Sequence, residues 1–214
     1  MNLTELSEVN FEDIAGVHNQ VDQLRTLRRN KLFVLLLGPS GVGKTTIIQA
    51  LNDQTNGTYP YISPYITRDL RPGETEKTSI SDAEFDRLEQ AGEFVIVNAL
   101  YGVRYGTPLK TITNCLTSGR VPILDFPLEK VSKLRRGEFD LLNIYVFPPN
   151  IAEWRSRLDN ANRNNSNRFE QGIEELGMLS QLPKSHPDIH YSVVSRSGDI
   201  PKIANTINTL ISSI

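Results

Sequence analysis

Phe33-Val34-Leu35-Leu36-Leu37-Gly38-Pro39-Ser40-Gly41-Val42-Gly43-Lys44-Thr45-Thr46 decides how the rest of the chain is read. Its first five residues form an uncharged apolar run, too short to cross a membrane, that reads as a buried strand of a parallel sheet. Gly-Pro-Ser-Gly-Val-Gly breaks the run, and a helix-compatible segment, 46–51, follows at once. Gly38 to Thr45 fits G-x-x-x-x-G-K-[ST], between a strand and a helix as that motif's mechanism requires. Glycines let successive backbone N–H groups curl around a phosphate, and the helix that begins there adds the positive end of its dipole. The candidate cradle is Gly38, Ser40, Gly41, Val42, Gly43, Lys44, Thr45 and Thr46. Lys44 would bridge the outer phosphates as a point charge, and the Thr45 hydroxyl would hold Mg²⁺. A nucleoside triphosphate site, with ATP·Mg²⁺ as its occupant, is the expectation from which the other segments are read.

With 214 residues the chain suits one domain carrying inserted flaps, or one domain plus a small appendage. A hydrophobic fraction of 38% can build a core, and 22% charged residues is ordinary for a soluble protein. The formal net charge of -2 offers no overall pull toward nucleic acid or an anionic membrane, so neither is expected as a partner. Cys115 is the one cysteine, which excludes an intramolecular disulfide and a cysteine-based zinc site. His18, His186 and His190 lack metal-ligand spacing and read as ordinary histidines. No stretch approaches the length of a membrane span, and the chain does not open with a basic start and an apolar run. A cytoplasmic location is the expectation.

Upstream of the phosphate strand, Val17, Val21 and Leu24 give helical spacing that predicts a helix over 16–30, with Arg25, Arg28, Arg29 and Lys31 at its positive-welcoming end. Phe11 to Val17 resembles the segment that precedes the phosphate loop in AAA+ ATPases. That family needs a second strand ending in Asp-Glu, whereas 121–126 carries the single carboxylate Asp125, followed by Phe126 and Pro127.

Downstream of the loop helix, 59–66 is a short aromatic and β-branched run, and Pro64 argues against a central strand there. Arg68 and Arg71 follow just before the Pro72-Gly73 turn; arginine suits a two-pronged grip on phosphate, and a turn presents it at a cleft. Ser81 reads as the N-cap of a helix reaching Gln90 and closed by Ala91-Gly92. A strand over 93–99, an aromatic and glycine-rich turn over 101–108, and a helix over 109–118 come next. Strands are predicted over 121–126, 141–147 and 189–194, and helices over 151–158, 168–182 and 200–214, the last with Ile203, Ile207 and Leu210 on one face. Trp154 reads as core packing. The polar stretch 159–167 fits a mobile flap between two helices. Strands alternating with helices predict an α/β fold with a parallel sheet around the phosphate loop.

Taken in order, these segments resemble the guanylate kinase family. Gly38 to Thr46 looks like its phosphate loop, and Thr67-Arg68-x-x-Arg71-Pro72-Gly73-Glu74 looks like its acceptor-phosphate segment. Glu84-Phe85 and Gly92-Glu93-Phe94 match the helix and strand that follow, and Gly102-x-x-Tyr105-Gly106-Thr107 resembles the tyrosine turn that completes the phosphate site. Leu124-Asp125 fits the second strand, Phe147-Pro148-Pro149 the third, and Arg157-Leu158, Arg168 and Glu175-Leu176 the lid. The resemblance implies a P-loop NTPase fold over 31–214, with an acceptor-binding subdomain at about 63–107 and a helical lid at about 157–172, and leaves 1–30 as a helical extension.

It also implies phosphoryl transfer from ATP·Mg²⁺ to a second phosphate. Lys44 and the loop amides would hold the donor; Arg68, Arg71, Tyr105 and Thr107 would hold a small-molecule acceptor such as GMP. Arg157 and Arg168 would swing in with the lid to neutralise the transferred group, and Asp125 would sit near Mg²⁺ through water. Positioning and electrostatics are most of what this chemistry asks of a protein. Some positions depart from the pattern. Pro64 stands where the family carries a base-reading serine, Ile96 where it carries a base-reading glutamate, and Pro127 where it carries a second aspartate; one lid arginine falls at Ala161 unless Arg163 substitutes. Pro64 and Ile96 offer no side-chain hydrogen bond to a base, so the acceptor is GMP or a different nucleotide or sugar phosphate. Two other readings stay open: a catalytically silent guanylate-kinase-like interaction module, and an AAA+-like NTPase.

Overall fold

The computed structural model describes residues 3–19, 21–71, 73–100, 102–134, 138–160 and 166–214, and leaves the side chains of 21, 100 and 166 undescribed. Pro72, Tyr101, Ala161 and Arg163, and with them most of the expected flap, lie outside the described residues.

The apolar run before the phosphate loop forms strand β1, Leu32–Leu37, every residue of which is fully buried. Burial on both faces explains why the run is continuous rather than alternating. Three parallel strands share its sheet in the order β6-β1-β7-β8: β6 is Ile123–Asp125, β7 is Asp140–Phe147 and β8 is Tyr191–Val194. Helix α4, Lys44–Gln54, leaves the phosphate loop and packs against the closing helix α9, Ile200–Ser212. The buried face of α9 is Ile203, Ala204, Ile207 and Ile211, with Leu210 only half-buried beside it.

A second sheet, in the order β3-β2-β5-β4, was not expected from the sequence. Its members are β2, Tyr65–Ile66; β3, Thr78–Ser79; β4, Phe94–Leu100; and β5, Val103–Pro108. Segment 103–108, expected as a turn, is therefore a strand. Leu100 pairs with Val103, with Gly102 at φ 75° in the tight connection between them, which closes β4 and β5 into a hairpin. Pro64 stands immediately before β2 and cannot donate to a ladder, so the strand begins only at Tyr65. A parallel bridge from Tyr61 to Ile123, with Ile62 N–H donating to Ile123 O at 2.8 Å, carries the chain from the first sheet to the second.

Helix α5, Asp82–Gln90, is capped as expected, the Ser81 hydroxyl accepting from Glu84 N–H at 3.2 Å, and α6, Leu109–Thr117, follows β5. Helices α7, Ile151–Asn160, and α8, Ser166–Ser180, follow β7. Trp154 of α7 is fully buried and stacks on Phe169 of α8 with ring centroids 5.0 Å apart. Among the described residues no helix is long and apolar enough to cross a membrane.

The single helix expected over 16–30 is not formed. Helix α1 spans Leu3–Ser7, α2 spans Phe11–Val17, α3 spans Val21–Leu24, and a 3₁₀ turn covers Arg29–Lys31. Tertiary hydrogen bonds end α2. His18 turns inward, its Nδ1 accepting from His186 N–H at 3.0 Å, and Asn19 Oδ1 accepts from Ser192 N–H of β8 at 3.0 Å. The basic cluster is not gathered at a helix end either. Arg28 forks onto Asp140 at 2.9 and 3.0 Å, tying the approach of β1 to the start of β7, and Arg29 donates to Ile211 O.

Candidate active site

The phosphate loop is shaped by its glycines and held from outside by α7. Gly38 has φ 126° and Gly41 φ 82°, both in the left-handed region. A Cβ on Gly38 would stand 2.5 Å from Val146 O, so no side chain fits between the loop and β7. The Trp154 indole N–H donates to Ser40 O at 2.7 Å, fixing the loop's outer carbonyl to the core of α7. Lys44, the first residue of α4, folds back over the loop and its ammonium donates to Gly38 O at 2.7 Å and Pro39 O at 3.0 Å. Those carbonyls hold the charge over the loop.

One cavity of about 760 Å³ opens from this loop. Gly38, Ser40, Lys44 and Thr45 line one side; Arg68, Arg71, Tyr105 and Thr107 line another; Asp125 and Arg168 line it as well. Residues far apart in sequence are brought together because β6 ends beside β1, Leu36 pairing with Asp125, while the bridge from Tyr61 to Ile123 leads the chain from that edge into the second sheet, whose Tyr105 and Thr107 line the same cavity. Gly41, Val42, Gly43 and Thr46 do not line it: the Val42 side chain is fully buried in the core and Thr46 is exposed on α4. Nor does Arg157. Its guanidinium is ion-paired with Glu153 one turn earlier and lies within 3.5 Å of Val42 O and 3.4 Å of the Ser195 hydroxyl, behind the loop.

Arg68 is 18% exposed and its fork is taken by Glu74, at 2.7 and 2.9 Å. The Glu74 carboxyl is held well below the usual carboxylate range by that guanidinium, against the opposing effect of burial, with the Arg71 amide and Lys77 assisting. Arg71 donates its backbone N–H to Glu74 at 3.1 Å, which leaves its side chain on the cavity wall. Asp125 accepts from the Tyr61 hydroxyl at 2.6 Å, and burial followed by the Asp125 charge pushes that phenol well up, keeping it a donor. Beneath the lysine, Glu175 of α8 accepts from the buried Tyr145 hydroxyl; burial pushes its carboxyl up while Tyr145 and Lys44 act the other way.

The residues present fit a magnesium ion held chiefly by substrate phosphates. Thr45 and Asp125 supply an alcohol and a carboxylate to one cavity, and among the described residues no cluster of three His, Cys, Asp or Glu side chains forms an all-protein cage.

Ile96 proves to lie off the cavity, in the hydrophobic core, whereas Pro64 and Pro127 line it. Asn98, Glu74, Lys77 and Glu175 were missed as site residues. Glu74 and Glu175 stand inside motifs that could have flagged them. Asn98 carried one signal, a polar residue in a strand otherwise made of Phe94, Val95, Ile96, Val97, Ala99 and Leu100.

The family model for guanylate kinase matches residues 29–213. A guanylate kinase of Nostoc sp. is 31% identical over 144 residues, covering 64% of this chain and 72% of that protein. One from Enterococcus faecalis is 28% identical over 189 residues, covering 85% of this chain and 88% of that protein. The crystal structure of guanylate kinase from Anaplasma phagocytophilum superposes with a TM-score of 0.63 at 21% identity, covering 88% of each chain.

Proposed function

This chain belongs to the guanylate kinase family, and from that premise we propose that it is a cytoplasmic enzyme transferring the γ-phosphoryl group of ATP to a nucleoside monophosphate. One observation carries the reading: Lys44 and Thr45 share a single cavity with Arg68, Arg71 and Tyr105. That juxtaposition suits two anionic groups placed face to face, and phosphoryl transfer needs little more than such placement and charge compensation.

The roles follow from position. ATP phosphates replace the Gly38 and Pro39 carbonyls as acceptors for the Lys44 ammonium, and the loop amides with the α4 N-terminus surround the remaining oxygens. Thr45 and Asp125 would be the protein residues that hold Mg²⁺, whose charge would compensate that of the phosphates. Tyr61 fixes the Asp125 carboxylate for that task. Arg71, Tyr105 and the N–H groups of Arg68 turned away from Glu74 hold the acceptor phosphate, and Thr107 stands next to them. Arg168 reaches the transferred group from α8, whereas Arg157 does so only after leaving Glu153, as part of a lid over 157–172 closing on the acceptor subdomain at 63–107. Closure excludes water that would otherwise hydrolyse ATP.

GMP is the first acceptor to test, because the relatives are guanylate kinases. A changed acceptor is a second reading, favoured by Pro64 on the cavity wall and Ile96 in the core, neither of which can hydrogen-bond a base through its side chain. ADP release measured with ATP, Mg²⁺ and a panel of nucleoside and sugar monophosphates tests both. Acceptor-dependent ADP release is expected, falling at least about 100-fold in kcat for Lys44→Ala. Equal release without an acceptor would indicate an NTPase, and absence of ATP binding an interaction module; either result defeats the proposal.

A further inference from the structure

Five buried side-chain polar atoms of the described residues have no hydrogen-bond partner: His18 Nε2, Asn52 Oδ1, Arg68 Nε, Asn98 Oδ1 and Asn143 Oδ1. Of these five residues only Arg68 and Asn98 line the cavity. Arg68 already engages Glu74 through its fork. Asn98 is different, an uncharged carboxamide 7% exposed on a strand of apolar neighbours. A buried carbonyl oxygen left unpaired is costly, and folded proteins rarely keep one without a use.

The register of the hairpin says where that group stands. Asn98 pairs with Tyr105, and Ile96 pairs with Thr107. Side chains directly opposed on antiparallel strands have Cβ atoms about 5 Å apart, so the carboxamide is a neighbour of Tyr105 on the cavity wall that also carries Arg68 and Arg71. Two positions back, the same face of β4 offers only Ile96, whose side chain joins the core.

We propose that Asn98 is a specificity-determining residue of the acceptor site, its Oδ1 accepting a hydrogen bond from an N–H or O–H of the acceptor close to the bound phosphate. The inference rests on the reading of the cavity as a kinase site. An acceptor with a donor at that point satisfies the stranded carbonyl; one without it leaves the carbonyl dry and is rejected. A base N–H and a sugar hydroxyl both supply the chemistry.

Equilibrium binding tests this without requiring turnover. Wild type, Asn98→Leu and Asn98→Thr are titrated calorimetrically with GMP, 2′-deoxy-GMP, inosine, adenosine and cytidine monophosphates, ribose 5-phosphate and a non-hydrolysable ATP analogue. The leucine variant is expected to bind the tightest acceptor at least about tenfold more weakly. Its affinity for the ATP analogue stays within about twofold, its Tm is no lower than that of wild type, and threonine restores part of the acceptor affinity. If GMP loses affinity and 2′-deoxy-GMP was already weak, the donor is the sugar hydroxyl; if both lose equally, it is the base. Unchanged acceptor affinity in Asn98→Leu overturns the inference. So does equal weakening of both ligands with a lowered Tm, which marks a packing role, and so does a wild type that binds none of the panel. The kinase reading fails by a separate result, an acceptor bound through Asn98 that ATP and Mg²⁺ do not phosphorylate.

Discussion

Glu74 shows how one side chain joins stability to the site. It gathers the Arg68 fork, the Arg71 amide and the Lys77 ammonium, and its side chain is only 7% exposed. Its folded carboxyl is depressed below its unfolded value, so its contribution is complete above the unfolded carboxylate range and fades as pH falls toward the folded value. Glu74→Gln is accordingly expected to cost about 2 kcal/mol at pH 7 by urea denaturation. The gap to wild type should narrow below about pH 4, where the unfolded carboxyl protonates. A gap that stays constant from pH 7 to pH 3 would show that charge is not what the pair contributes. The sequence placed Glu74 in the acceptor segment but did not show that it takes the fork of Arg68, because the reach of a side chain around the turn at Gly73 is a matter of local backbone path.

At the scale of elements, the phosphate loop owes its position to a helix pair that follows it by more than a hundred residues. α7 holds Ser40 through Trp154, and α8 approaches so closely at Gly172 that an added Cβ would stand 2.5 Å from the Trp154 ring and 3.0 Å from Pro39. The ring is fully buried and has no room to retreat. Gly172→Ala is therefore expected to destabilise by about 1–3 kcal/mol through overpacking, although alanine gains about 1 kcal/mol over glycine as a helix former. Raised KM for ATP should accompany the loss, since Pro39 and Ser40 move with the ring. A stabilised variant with unaltered KM would refute the contact. Periodicity revealed both helices and the burial of Trp154, but not its bond to the loop, which depends on which face of α7 meets Ser40 and Gly41.

On the scale of the whole molecule, Leu6, Phe11, Ala15 and Leu24, upstream of β1, belong to the same core as the central sheet. Phe11 is 1% exposed and stacks on Phe147 at 5.9 Å; Leu6 is fully buried; the Ser192 hydroxyl of β8 donates to Ala15 O at 2.6 Å. Phe11→Ala should thus cost about 3–5 kcal/mol of global stability, read as a lowered urea midpoint for the entire transition. An unchanged midpoint, with only a local early phase, would make the extension a separate unit. The central buried strand, the glycine-rich loop between strand and helix, the capping of α5 by Ser81 and the placing of two arginines beside the turn at Gly73 were legible in the sequence, because each rests on residues adjacent along the chain. Only the tertiary structure decided that the 103–108 segment is a strand, that Ile96 belongs to the core while Asn98 faces the cavity, that Arg157 is paired behind the loop, and that His18 ends α2 by turning to His186. Those outcomes depend on contacts between residues distant in sequence, where burial and a hydrogen bond to a far partner outweigh local preference.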